Sequence, residues 1–106
     1  MKSFAPALLT LCLTVLASTP TQADQALAQK KVCLSCHGVD KRNGFPAPSY
    51  KEVSARYAGQ KDAADKLVPK ILRGGTGAWG VMTMPANPQV TEAEARQLAA
   101  WILSVK

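Results

Sequence analysis

Cys33-Leu34-Ser35-Cys36-His37 is the stretch on which the reading of this chain turns. It sets two thiols three residues apart with an imidazole directly after the second, so all three groups fall within one helical turn. A disulfide between such neighbours would close almost no loop and so restrict the unfolded chain very little. A thioredoxin-like redox pair needs βαβ surroundings that the flanking sequence lacks, and zinc needs two further Cys or His ligands. Beyond residue 23 the chain has no other cysteine, and His37 is its single histidine. Covalent haem attachment suits the motif best: each thiol adds across one vinyl group while the adjacent imidazole reaches the iron.

Upstream of the motif, Lys2 precedes an apolar stretch from Phe4 to Ala17, which leads into Thr21-Gln22-Ala23. This pattern predicts a secretory signal peptide over residues 1–23, with the mature domain over 24–106. The apolar core is shorter than the roughly 18–20 residues of a spanning helix. Cys12 follows Leu11, too large for lipoprotein processing, and is expected to leave with the leader. Export accords with a c-type site, and it argues against nucleic acid as the partner of a basic chain.

The mature part is small for a self-sufficient apolar core, so a bound group is expected to help hold it together. Its twelve lysines and arginines face seven acidic residues. That excess favours acidic protein surfaces as transient partners.

The pattern outward from the motif is all-α, with about four short helices. Good helix formers run from Asp24, a suitable cap, to Cys36. Gly44, Pro46 and Pro48 then mark a loop, and Ser49 to Tyr57 reads as a short helix stopped by Gly59. Asp62 opens a third segment with an apolar stripe of Leu67, Val68, Ile71 and Leu72, ending at Gly74-Gly75. Pro69 inside it either kinks the helix or restarts it. In the last helix Thr91 and Glu94 make a capping box, and Leu98, Trp101, Ile102 and Val105 share one face. Gly74 to Val90 is expected to be a long irregular loop, and such loops in small domains usually serve a purpose.

If His37 fills one axial position, the mature chain offers Met82, Met84 and lysines for the other. A thioether is the natural choice, since it is soft, neutral and favours ferrous iron. Residues two apart in an extended segment face the same side, so spacing alone leaves both methionines in play.

Taken together, several stretches carry a resemblance: Cys33 to His37, Pro48-Ser49-Tyr50-Lys51-Glu52-Val53, Gly74-Gly75-Thr76-Gly77-Ala78-Trp79-Gly80, Met84-Pro85-Ala86-Asn87, and the helix bearing Trp101. The mature chain resembles the small bacterial class I cytochromes c of the cytochrome c-551 kind. The resemblance implies one covalent haem c on Cys33 and Cys36, with His37 and Met84 as axial iron ligands. It also implies that the Pro48 carbonyl accepts the second ring N–H of His37, although the loop before it is longer than usual and puts Pro46 at the more typical distance. Trp79 and Lys70 match groups that approach a haem propionate, and Asn87 matches an asparagine that bonds the methionine sulfur. Two departures concern the scaffold: the first helix has Leu27 and Ala28 where an aromatic residue is common, and Val32 stands where glycine is usual.

The function implied is that of a soluble, monomeric periplasmic one-electron carrier, in which no bond of a substrate changes. Partners of that kind are larger redox proteins, such as a terminal oxidase, a nitrite reductase or a cytochrome complex, with Lys30, Lys51 and Lys70 available to steer docking. The competing class, a haem enzyme or gas sensor, needs an accessible sixth position and a distal acid or base, and Gly74 to Asn87 supplies neither a histidine nor a carboxylate.

Overall fold

The computed structural model describes residues 2, 3, 12, 14 and 20–106, so most of the expected leader, Phe4 to Ala17, lies outside the described residues. Four helices and a two-stranded sheet follow in the order α1 (Pro20–Lys30), a 3-10 turn (Cys33–Ser35), α2 (Tyr50–Tyr57), α3 (Ala63–Arg73), β1 (Gly75–Gly77), β2 (Gly80–Met84) and α4 (Glu92–Ser104). Among the described residues no helix is long and apolar enough to cross a membrane.

The first helix departs from expectation at both ends, beginning at Pro20 so that Asp24, expected as its cap, lies within it. It stops at Lys30 rather than carrying through to Cys36, with Lys31 N–H bonded to the Leu27 carbonyl and Val32 N–H to that of Gln29. Val32 then takes a left-handed conformation, φ 67° and ψ 16°, which a β-branched residue rarely adopts. The reversal gives the cysteine motif its own 3-10 turn, in which the Cys33 carbonyl accepts from the N–H groups of Cys36 and His37.

Helix α2 begins with a reciprocal cap: the Ser49 hydroxyl accepts from Glu52 N–H, and the Glu52 carboxylate from Ser49 N–H. In α3 the choice posed by Pro69 resolves, since the helix runs from Ala63 to Arg73 with the proline inside it. The Thr91–Glu94 capping box starts α4 as expected. Its apolar face supplies Leu98, Trp101 and Ile102, each at most 5 % exposed. Burial of such side chains contributes about 1.5–3 kcal/mol apiece, which makes α4 the spine on which α1, α2 and α3 pack.

The expected loop over Gly74 to Val90 contains a hairpin instead. Strands β1 and β2 pair antiparallel, Gly75 with Met84 and Thr76 with Thr83, with a bulge before Gly77 pairs with Gly80. Ala78 and Trp79 form its turn, flanked by Gly77 and Gly80 at φ 93° and 109°.

Candidate cofactor site

One cavity of about 390 Å³ gathers most of the residues singled out from the sequence. Cys33, Cys36 and His37 line it from the 3-10 turn, Pro48 from the following loop, Lys70 from α3, and Trp79, Met82 and Met84 from the hairpin. Val53, Leu67, Ile71, Leu98 and Ile102 give it an apolar interior.

His37 is fixed from behind. Its Nδ1 lies 2.7 Å from the Pro48 carbonyl oxygen, so Nδ1 carries the proton and donates, and Nε2 keeps its lone pair. Pro46 is otherwise engaged, its carbonyl accepting from Arg42 Nη1 at 3.3 Å. Tyr50 stacks on the imidazole, ring centroids 4.9 Å apart and planes at 17°, and meets Trp101 edge-on at 5.3 Å. Burial holds the imidazole below its ordinary pKa, partly offset by the Pro48 carbonyl, which favours the neutral ring that can ligate a metal. Burial, reinforced by the nearby Cys33 thiol, pushes the Tyr50 phenol upward and keeps it neutral.

The loop between His37 and Pro48 is pinned to α2. Tyr50 and Lys51 N–H bond the carbonyls of Gly38 and Val39, both at 2.9 Å. Arg42 grips Glu52 as a fork, Nε and Nη2 each donating at 2.9 Å. These contacts hold the loop while the Pro48 carbonyl stays 2.7 Å from His37 Nδ1.

Both methionines reach the cavity because they alternate on the same side of β2. They differ in exposure: Met82 is 44 % exposed, whereas Met84 is half-buried. Met84 also has the firmer backbone. Gly74, at φ 69°, approaches so closely that a Cβ there would lie 2.1 Å from the Met84 carbonyl oxygen. Asn87 stands outside the cavity lining, with Nδ2 donating to the Ile71 carbonyl at 2.8 Å and its backbone N–H to Leu72 at 3.1 Å. The structure thus gives it a tethering position, joining the end of the Met84-Pro85 segment to α3.

Trp79 is half-buried in the cavity wall, and Lys70 reaches the same wall from a solvent-exposed position. Tyr50 and Phe45 line the cavity without having been singled out as site residues. Arg56 was not singled out either: its guanidinium lies 3.6 Å from the centroid of Trp79, and its Nη1 donates to the Ala78 carbonyl. Tyr50 could have been found through its place in Pro48-Ser49-Tyr50, but Arg56 has no local signal.

These residues fit a haem c. An apolar cleft suits a large flat macrocycle, and both thiols stand at its wall beside an oriented imidazole. The arrangement defines a small monohaem c-type protein. Comparison with known proteins agrees: the cytochrome c family model matches residues 23–106, and the chain belongs to that family.

Cytochrome c-552 of Hydrogenobacter thermophilus is 49 % identical over 86 residues, covering 81 % of this chain and 85 % of that protein. Cytochrome c-551 of Pseudomonas aeruginosa is 38 % identical over 107 residues, covering both chains in full. The crystal structure of wild-type Nitrosomonas europaea cytochrome c552 superposes with a TM-score of 0.71 at 41 % identity, covering 77 % of this chain and 99 % of that one. The chain is a small class I cytochrome c with one covalently bound haem c, an electron carrier by family.

Proposed function

We propose that this chain is a periplasmic one-electron carrier whose haem iron is held between His37 and Met84, with Cys33 and Cys36 forming the thioether links. The observation that carries the reading is the shared cavity: His37, locked at Nδ1 by Pro48, and Met84, followed by Pro85, line the same apolar cleft. The bound haem supplies the one-electron couple. The protein's part is to keep both ligands in place, so that the two oxidation states differ little in geometry, and to tune the potential through ligand choice and burial. Trp79 and Lys70 serve the propionate end of the cofactor. Partners are larger redox proteins, a terminal oxidase, a nitrite reductase or a cytochrome complex among them, which meet the monomer through a small transient interface steered by Lys30, Lys51 and Lys70.

The domain in service is residues 24–106, after removal of a leader over 1–23. Cleavage there would leave Asp24 at the new terminus, where its Oδ1 accepts from Gln97 Nε2 at 2.6 Å and fastens the first helix to α4.

An optical spectrum of the ferric protein tests the ligand set. Thioether ligation gives a weak far-red band, and Met84→Ala should abolish it while Met82→Ala leaves it intact. The opposite pattern would identify Met82 as the ligand. Rapid carbon monoxide binding by the ferrous protein would instead reveal an open sixth position and sink the carrier reading.

A further inference from the structure

The hairpin that brings Met84 and Trp79 to the cavity has little to hold it. Strand β1 is exposed throughout, β2 is exposed up to Met84, and Val81 is 95 % exposed. Two short strands rich in glycine are at best marginally stable by themselves. The base of the hairpin is secured by the close approach of Gly74 and by Asn87. Its turn lies at the other end, and there Arg56 makes the connection across the chain.

Arg56 projects from the last turn of α2, a helix end that favours a cation. Its guanidinium covers the face of Trp79 and donates to the carbonyl of Ala78. Val53 and Tyr57 of α2 line one part of the cavity, and Ala78 and Trp79 of the hairpin line another. The Arg56 contacts therefore join two walls of the same cavity. Among the described residues no carboxylate forms an ion pair with Arg56, so no protein carboxylate is paired with its charge beside the cavity.

We propose that Arg56, stacked on Trp79 and bonded to Ala78, is a latch that keeps the hairpin closed over the haem and a positive charge that favours the reduced cofactor. The inference rests on the haem being bound in this cavity, with Met84 as the ligand that the closed hairpin presents. A neighbouring cation disfavours the oxidised state, which carries one more positive charge, although Arg56 is solvent-exposed and screening moderates the effect. Closure acts in the same direction by excluding water. Arg56 is a positioning residue in this scheme, since it acts through Trp79 and the hairpin backbone.

The test uses the full haem-loaded protein and its Arg56→Ala, Arg56→Gln and Arg56→Lys variants. Cyanide binding to the ferric iron requires the sixth ligand to leave, so its rate reports hairpin opening. The rate should rise about tenfold in Arg56→Ala, the factor given by about 1.4 kcal/mol of lost contact. In Arg56→Gln the amide can still donate to Ala78, so the rate should rise less while the midpoint potential falls as in Arg56→Ala. Arg56→Lys should keep the wild-type potential. A wild-type cyanide rate in Arg56→Ala overturns the latch, and an unchanged potential in both neutral variants overturns the charge role. Amide hydrogen exchange over residues 76–83 should quicken in Arg56→Ala. Because exchange does not depend on which group ligates the iron, it separates failure of the latch from failure of the Met84 assignment.

Discussion

The α1–α4 corner and the hairpin solve the same problem, holding a chain segment in place, by different means. At the corner, Ala28, Ala95 and Ala99 are completely buried, and small side chains let two helices approach closely. Polar bonds then lock the contact. Lys31 Nζ donates to the Gln89 carbonyl at 3.0 Å and pairs with Glu94 at 3.1 Å, and Gln89 Nε2 returns a bond to the Lys31 carbonyl. The missing aromatic residue of the first helix is thus replaced by close packing and a reciprocal clamp. The hairpin has no comparable burial, and depends on a glycine approach, an asparagine tether and a guanidinium. Stability is concentrated in the helical corner, while the hairpin sits at the low end, where local opening is easiest.

Substitutions that break this division should differ in what they disturb. Trp101→Ala is expected to have the largest effect, a loss of about 3–5 kcal/mol in denaturant unfolding, because the indole is 3 % exposed in the core. Its effect should also reach the site, since Trp101 braces Tyr50 and Tyr50 stacks on His37. Gly74→Ala comes next and strikes the hairpin. The new methyl must adopt a positive φ and would overlap the Met84 and Pro85 backbone, costing about 2–4 kcal/mol. Here the expected signature is a weakened far-red band at temperatures where far-ultraviolet circular dichroism still reports intact helices. Simultaneous loss of both signals would show that hairpin and helices form one cooperative unit.

At the junction of the two regions, Val32→Gly should stabilise the protein. Valine in the left-handed region costs about 1–2 kcal/mol, and glycine's greater unfolded-state freedom takes back part of that, leaving a gain of about 1 kcal/mol or less. Val32 is 63 % exposed, so truncation forfeits little packing. A rise in thermal midpoint checks the prediction. No rise would mean that the turn before Cys33 is relaxed as it stands.

The same residue explains what the sequence revealed and what it hid. Helix α4 was legible because Thr91, Glu94 and the spacing of Leu98, Trp101 and Ile102 all point one way. The end of α1 was not, because the residue that reverses the chain is a valine instead of the glycine that would signal a stop. The hairpin was hidden for a related reason: Gly75-Thr76-Gly77 has neither strand propensity nor alternation. The cysteine motif is legible as a local pattern and Met84, Pro48, Trp79 and Lys70 only through the family resemblance; the fold brings them all to one cavity. Arg56 reaches Ala78 across 22 residues, and Asn87 reaches Ile71 across 16, so their contacts exist only after folding.

The smallest expected effect tests how firmly the loop behind His37 is held. Arg42, followed by the backbone N–H of Ser49, lowers the Glu52 carboxyl from its ordinary 4.5 to about 2. Between those values the unfolded chain binds the proton more readily than the folded one, so stability rises with pH through that window and falls on acidification from about pH 4.5 to pH 2. The pair is solvent-exposed, with side chains 44 % and 40 % accessible, so screening keeps the effect modest. Glu52→Gln retains an acceptor for Ser49 N–H but has no charge to lose. Its stability deficit relative to wild type should be full at pH 6 and shrink toward zero near pH 2, measured by urea unfolding at each pH. A deficit that stays constant across the window would show that Arg42 does not hold the loop through this carboxylate, leaving the backbone bonds from Tyr50 and Lys51 to hold Pro48 against His37.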